Sequence, residues 1–412
     1  MVIGSGIFFK PGVVLRDTGS AGMSILAWTL GGIITLAAGL TMAELAAALP
    51  LTGGLYSYLE VTYGRLWGGL FGWVQTAISF PGSVAALAII FATQLSLFIP
   101  MTPGIQTLVA IAVIFLLVGG YSLGSEQGGA IQVAFTLAKL VPILLITVLG
   151  LWQGSHGLQL TKPVIVSTGG QGLAAAILAT LWAYDGWIAV TNVAGEIREP
   201  QRNLPRAIIG GLGVVLIVYV CINLAMLKVL PPEQLAASAT PASEVAQVLF
   251  GQRGATVVAV GIALSIVGAL NGYILTGARV PFAMAKQGNL PWSEYFSQLH
   301  RRYKTPVRSL LLIGLLATFY VFSGSFNFLT DLAIFTLWTF FIMRLLAVII
   351  MRRRRPDLPR PYKVPLYPIT PLVAIIGGLY ILVSTLIYSP TNSLLSIAIT
   401  LLGIPVYKTL KR

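Results

Sequence analysis

Ile3-Gly4-Ser5-Gly6-Ile7-Phe8 and, about 180 residues later, Leu181-Trp182-Ala183-Tyr184-Asp185-Gly186-Trp187 decide how this chain is read. Both lie in strongly apolar surroundings and interrupt them with residues that a membrane helix tolerates badly. Glycine costs a helix roughly 1 kcal/mol relative to alanine. N–H groups freed inside hydrocarbon must find partners, and an anionic carboxylate is one such partner. Close packing of small residues between helices is the other use of a Gly-Ser-Gly stretch. Asp185 is harder to treat as incidental, because a carboxylate at a helix centre costs about 2.5–3.5 kcal/mol on insertion scales. It either caps its broken helix by accepting backbone N–H groups or serves a site.

The surroundings of these breaks set the class. The 412 residues are 56% hydrophobic and 9% charged, with a mean hydropathy of +0.87. Soluble domains carry about 25% charged residues, and disorder needs low hydrophobicity, so both classes are excluded. A spanning helix needs roughly 20 apolar residues. Such runs recur at 22–49, 69–98, 105–123, 130–151, 172–193, 207–230, 255–283, 306–322, 327–351, 370–388 and 393–407. That predicts eleven full spans after a short apolar piece at 1–15, in an all-α integral membrane protein with no separate soluble module. Five spans follow from each break, 1–151 and 172–351, and two more occupy 370–407. Paired interruptions in corresponding halves mark proteins built from inverted repeats that bind a solute at mid-membrane.

The net charge of +14, from 26 Lys and Arg against 12 Asp and Glu, would suggest nucleic-acid binding in a soluble protein. Here the loops explain it. With 1–15 leading outward, twenty cations fall on the inner side, among them Arg198, Arg202, Arg206, Arg301, Arg302, Lys304, Arg352 to Arg355, Lys408 and Arg412. Five fall outside: Lys10, Arg16, Lys162, Lys228 and Arg253. The bias is the positive-inside pattern, with attraction to anionic headgroups as a by-product. No nucleic-acid partner is expected, and the C-terminus is expected on the cytoplasmic side of a cell membrane.

Met1-Val-Ile-Gly lacks the basic region and cleavage site of a secretory signal. The first apolar piece is too short to span and is broken by Gly4, Gly6 and Pro11-Gly12, so the chain is expected to begin inside its first membrane helix. Cys221 is the single cysteine, which excludes an internal disulfide. His156 and His300 both fall in loops, against a histidine-based metal site. No cofactor is expected.

Lys139, in Phe135-Thr-Leu-Ala-Lys139-Leu-Val-Pro142, is a third intramembrane oddity. Snorkelling would carry its ammonium to an interface, but Pro142 and a further apolar turn follow, and about nine apolar or small residues precede it. A fixed cation there can stand in for a bound metal cation or exchange a proton. Glu44 reads as a structural acceptor near the inner surface, and Asp331 as an outer helix-end residue. Asn271 and Tyr273 either face the site or hydrogen-bond between helices.

With these residues in view, the chain resembles the amino acid–polyamine–organocation (APC) superfamily, and within it the L-type amino acid transporters. The resemblance rests on Ile3–Phe8, on Ala43-Glu-Leu-Ala46 followed by Pro50-Leu-Thr-Gly-Gly-Leu-Tyr56, and on Phe135–Lys139. It continues through Trp182–Trp187, Glu196-Ile-Arg-Glu-Pro200, Asn203-Leu-Pro-Arg-Ala207, Arg279 with Gly288-Asn-Leu-Pro291, and Arg360-Pro-Tyr-Lys-Val-Pro365. It covers essentially the whole chain, and although each motif is weak, their order and spacing are specific.

That resemblance implies a LeuT-type 5+5 inverted repeat plus two C-terminal helices, twelve spans in all with the first one truncated at its N-terminus. It implies a secondary transporter of α-amino acids, neutral and with Asp185 also cationic, working by sodium-independent exchange; proton-coupled symport is the alternative within transport. A membrane-embedded enzyme finds no catalytic constellation, and a channel or non-transporting amino acid sensor is the remaining class. The implied substrate residues are Val2, Ile3, Gly4, Ser5, Gly6, Trp182, Asp185, Gly186 and Asn271. The N–H groups of Ser5 and Gly6 would hold the carboxylate, and carbonyls near Val2, Trp182 and Asp185 the ammonium. Trp182 would gate the outer side, and Lys139 would tie the first span to the eighth in place of sodium. No metal is implied. Ile99-Pro-Met-Thr-Pro-Gly-Ile105 lacks the cysteine through which animal members join a glycoprotein subunit, so no disulfide-linked partner is expected.

Overall fold

A computed structural model describes residues 2–49, 55–123, 128–164, 171–188, 197–323 and 325–410. Pro50 to Gly54, Glu196 and Arg412 lie outside the described residues. The described residues fold mainly into helices: α1 Gly6–Thr18, α2 Ala21–Ala48, α3 Leu55–Tyr63, α4 Arg65–Val74, α5 Phe80–Leu95, α6 Pro103–Ser122, α7 Gly128–Gln153 and α8 Leu173–Tyr184. There follow α9 Pro200–Val229, α10 Pro232–Ala237, α11 Pro241–Lys286, α12 Ser293–Phe296, α13 Val307–Ser323, α14 Phe326–Arg354, α15 Ile369–Tyr388 and α16 Pro390–Leu410. A π-helical turn at Gln75–Ser79 joins α4 to α5.

Ten of the eleven apolar stretches are helical along most of their length, 69–98 through α4, the π-helical turn and α5; in the stretch 172–193, α8 ends at Tyr184 and residues 189–193 lie outside the described residues. Eight of those helices are long and apolar enough to cross a membrane; the apolar parts of α7, α8 and α13 are shorter, Lys139–Gln153, Leu173–Tyr184 and Val307–Phe322. A multi-pass membrane protein follows from this pattern. Helices suit it because hydrocarbon offers no partner to an unpaired backbone group. Where the helices begin, side chains help: Ser20, Thr102 and Ser325 accept from Met23, Ile105 and Phe328 N–H groups at 3.3, 3.4 and 3.4 Å. The run from Pro241 to Lys286 bends at Gly251, where φ is 64°, which separates the expected span at 255–283 from the turn before it.

Helix α14 is tied at both ends. Near its start it receives Lys10 of α1, whose ammonium donates to Asn327 Oδ1 at 3.0 Å and Thr330 Oγ1 at 2.8 Å, and pairs with Asp331 Oδ1 at 3.4 Å. Near its other end Arg352 donates Nε and Nη2 to the two carboxylate oxygens of Glu44 on α2, at 2.7 and 2.5 Å. Arg360 adds a contact at 3.5 Å, and the Val364 N–H donates to Glu44 Oε2 at 2.7 Å. Glu44 is thus the structural acceptor expected of it, joining α2, α14 and the segment after α14. Between these ties the Tyr63 hydroxyl of α3 donates to the Met343 carbonyl at 2.7 Å. The last two helices pack on this frame, with Thr336 of α14 and Ser396 of α16 sharing a 2.6 Å hydrogen bond.

Two cations depart from the loop count. Lys10 is not an outer surface cation but fully buried, and Arg344 is not an inner surface cation but fully buried within α14. Of the cations counted in the sequence reading, four expected outside and nineteen expected inside remain. Arg344 lies over the rings of Phe71 and Phe341, 3.8 and 5.1 Å from their centroids, and none of its three nitrogens has a hydrogen-bond acceptor among the described residues. Removing one partner of a paired buried charge is costly, whereas replacing an ill-satisfied charge by an apolar group of similar volume is neutral or stabilising. Arg344→Met is therefore expected to leave the unfolding temperature in detergent unchanged or raised. Arg352→Met, which takes two charge-assisted bonds from Glu44, is expected to lower stability by about 2 kcal/mol.

Candidate functional site at the two helix breaks

Helix α1 begins at Gly6, just after the Gly-Ser-Gly stretch. The Phe8 N–H donates to the Ser5 carbonyl at 3.0 Å, which closes the first turn. The N–H groups of Gly6 and Ile7 precede any intrahelical acceptor, as helix geometry requires. They sit at the positive end of the helix dipole, a ready site for an anionic group. The Ser5 hydroxyl beside them is buried and has no hydrogen-bond partner among the described residues.

Helix α8 ends where the second break was expected. Asp185 leaves the helix in an extended conformation (φ −67°, ψ 162°), and its N–H turns back to the Trp182 carbonyl at 3.3 Å. Gly186 follows at φ 94°, a left-handed value that a side chain resists. The chain therefore leaves the helix axis immediately after Asp185, and the last carbonyls of α8 are at the negative end of its dipole. The residues after Ile188, up to Glu196, lie outside the described residues.

The two breaks meet. A Cβ placed on Gly6 would stand 2.6 Å from Ala183 Cα and 2.7 Å from Ala183 Cβ, so only glycine lets α1 cross α8 this closely. The Tyr219 hydroxyl of α9 lies 3.2 Å from the Val2 carbonyl and 3.0 Å from the Ala183 carbonyl. One hydroxyl thereby spans the extended residue before α1 and the last turn of α8. Sequence reading did not single out Tyr219; its only signal was a tyrosine at the centre of an apolar run.

Around this meeting point lie the other expected residues. The Tyr273 hydroxyl of α11 donates to Asp185 Oδ2 at 3.1 Å. Tyr273 also stacks on Trp182, with centroids 6.3 Å apart and planes 15° apart. The Trp182 ring meets Phe326 of α14 edge-on at 6.3 Å, and Phe9 of α1 meets the same Phe326 at 6.3 Å. These aromatic rings cover one side of the break. Val2, Ile3 and Gly4 form the extended approach to α1, with Val2 and Ile3 packed against the core. Asn271, whose role the sequence left open, accepts the Tyr121 hydroxyl of α6 through its side-chain oxygen; that contact is interhelical. Lys139 is buried at 6% exposure, on an α7 that packs against α9 and α11. Among the described residues it makes no hydrogen bond or ion pair, and so no tie to α1 or α11. No group of three or more His, Cys, Asp and Glu side chains suited to a metal occurs among the described residues.

The family model for amino acid permeases matches residues 1–405. The chain belongs to the amino acid permease family. It is 41% identical over 413 residues to the serine/threonine exchanger SteT of Bacillus subtilis, covering 100% of this chain and 94% of that protein. It is 31% identical to mouse b(0,+)-type amino acid transporter 1, covering 94% and 80%. To the mouse large neutral amino acids transporter small subunit 2 it is 32% identical, covering 98% and 77%. The family and these relatives are permeases, transporters and exchangers rather than enzymes, as the sequence motifs implied.

The crossing at Gly6 is the most constrained contact of the site. Gly6→Ala is expected to lower thermal stability by about 1–3 kcal/mol, the range for overpacking a tight contact. Adding Ala183→Gly is expected to restore only part of the loss, because the Ala183 Cα remains in place. The unfolding temperatures of the three proteins in detergent measure both effects.

Proposed function

We propose that this permease moves small α-amino acids across a cell membrane by alternating access, as a sodium-independent exchanger. The observation that carries this reading is the meeting of the two breaks. The positive end of α1 and the negative end of α8 lie side by side, and an amino acid zwitterion offers the complementary pair of charges. Its carboxylate takes the free N–H groups at Ser5 and Gly6, and its ammonium takes carbonyls near Val2, Trp182 and Asp185. Backbone recognition of the shared part of every substrate leaves selection to the pocket wall, where Ile3, Gly4, Gly186 and Asn271 join it. Trp182 covers the ligand as the gate. Helix-end binding of this kind at mid-membrane is the physics of inverted-repeat transporters, and we assign the chain to that architecture. Its repeats are 1–151 and 172–351, with accessory spans at 370–407 and a cytoplasmic C-terminus, and it acts without a disulfide-linked subunit.

The relatives' names support amino acids as the cargo, and those of the serine/threonine exchanger and the b(0,+)-type transporter bear on its range. Asp185 adds a carboxylate to the site, which suits a cationic side chain beside the neutral ones. Proton-coupled symport is a second reading, and one observation favours it: Lys139 is buried at membrane depth and, among the described residues, makes no hydrogen bond or ion pair.

Counterflow of labelled serine into proteoliposomes tests the main reading. Internal unlabelled serine or threonine is expected to accelerate uptake several-fold with no sodium present; uptake indifferent to internal substrate would sink exchange. In the same assay Asp185→Asn is expected to weaken competition by arginine about tenfold, worth about 1.4 kcal/mol, while competition by alanine changes little. Equal competition by arginine in both proteins would remove Asp185 from selection. Lys139→Ala is expected to slow exchange at least tenfold and, under an imposed pH gradient, to show whether accumulation depends on the lysine. Transport unaltered in every condition would end both roles for it.

A further inference from the structure

The connection from α14 to α15 holds more positive charge than its surroundings neutralise. From Arg352 to Lys363 the chain has six cations, and the acids at hand are Asp357 within the connection and Glu44 across from it, which leaves a surplus of four. Arg352 and Arg360 both pair with Glu44. Arg360 also donates to the carbonyls of Met351, Arg355, Pro356 and Leu358, so the chain curls beneath the last turn of α14. Arg354 reaches only a carbonyl, that of Thr62, at 3.3 Å. Arg353, Arg354, Arg355 and Lys363 are all exposed, and among the described residues none of them has a carboxylate partner. Apolar side chains are exposed beside them. The Arg352 guanidinium lies 3.8 Å from the centre of the Tyr367 ring, which brings the turn before α15 against the last turn of α14. In that turn Leu366 is 75% exposed, and Ile369 at the start of α15 is 61% exposed. Leu366 has φ 51°, a left-handed value unfavourable for a residue with a side chain. Thr370 Oγ1 donating to the Pro365 carbonyl, and the Ile369 N–H to the Leu366 carbonyl, both at 2.7 Å, hold it there.

We infer that this connection is a docking surface for a glycerophospholipid with an anionic headgroup. Apolar residues exposed within a span face acyl chains as a matter of course, but Leu366 precedes its helix and stands among cations, at the depth where headgroups lie. The phosphate takes the guanidinium and ammonium groups that lack a carboxylate, and the planar fork of arginine matches two phosphate oxygens at once. Leu366 and Ile369 lie along the upper part of the acyl chains. Clusters of Lys and Arg directly beyond a membrane helix are the recurring form of such recognition. The same connection supplies Glu44 with Arg360 and with the Val364 N–H. A phosphate on the neighbouring cations relieves their mutual repulsion and so strengthens the tie between α2 and α14. Lipid bound here stabilises the fold from the membrane face where α14 ends, and it does not touch the solute site. The inference is independent of which solute is carried and of how transport is coupled.

The test titrates dioctanoyl phosphatidylglycerol into the protein in a neutral detergent and reads the concentration that gives half of the rise in unfolding temperature. A rise is expected with this lipid and not with dioctanoyl phosphatidylcholine or glycerol phosphate at the same concentration. No rise with phosphatidylglycerol, or an equal rise with the choline lipid, would overturn the surface; an equal rise with glycerol phosphate would leave a phosphate site that needs no lipid. Arg353→Gln with Lys363→Gln is expected to raise the half-effect concentration about 25-fold, about fivefold for each cation. Arg198→Gln with Arg206→Gln removes two other exposed cations, with no exposed large apolar side chain between or beside them, and is expected to change it little. Equal losses in the two pairs would reduce the effect to overall charge and overturn the dock. Leu366→Asn, which suits the left-handed backbone, is expected to weaken the lipid several-fold, and an unchanged half-effect concentration would remove the acyl contact and with it the docking surface. Each variant is read against its own lipid-free protein, so a change in basal stability does not enter the comparison.

Discussion

The closest helix crossing at the site is also the one on which its chemistry depends. At Gly6 and Ala183, α1 and α8 touch with no room for an added carbon. A wider separation would part the positive end of α1 from the negative end of α8, whose opposite partial charges offset each other inside an apolar protein. Together they form one polar spot inside an apolar protein, and Tyr219 joins them with a hydroxyl. The surrounding packing can be understood as what holds those two ends in place: α9 supplies the tyrosine, α11 supplies Tyr273 to Asp185, and α14 closes the aromatic side.

Charge is distributed with the same economy. Most of the basic residues lie in loops or at helix ends. Besides Lys139, which makes no hydrogen bond or ion pair among the described residues, the buried charged side chains sort into three physical cases. Lys10 has three oxygens, Glu44 has two arginines and a backbone N–H, and Arg344 has only aromatic faces. The first two join different helices, and both joins fall on α14. That helix is fastened to α1 near its start and to α2 near its end, so displacing either end strains a charged contact at long range.

The membrane class was legible because hydropathy over a 20-residue window is a local property, and ten of the eleven apolar stretches are helical along most of their length. The breaks were legible for the same reason: Gly4-Ser5-Gly6 and Asp185-Gly186 violate the local rule for membrane helices wherever they are placed. Lys10 and Asp331 were not, because they stand 321 positions apart and no periodicity links them; each alone looked like a residue near a helix end. Arg344 was hidden by the arginine run that follows it at 352 to 355. Asn271 shows the limit from the other side. Its polarity in an apolar span was visible, but that its side-chain oxygen accepts the Tyr121 hydroxyl depends on how α6 and α11 pack.

Tyr219 has one hydroxyl proton and two carbonyls within reach. It can donate to Val2 or to Ala183 at any instant, and thermal exchange between them needs only a small rotation about the C–O bond. The stretch before α1 and the end of α8 are thus joined by a shared donor rather than by two independent bonds. Sliding one against the other forfeits at most one hydrogen bond, about 1 kcal/mol net, and the hydroxyl keeps a partner throughout. Two separate donors would impose twice that barrier. Mechanically the joint is a bearing rather than a weld, with low friction built into the place where the chain is most tightly packed.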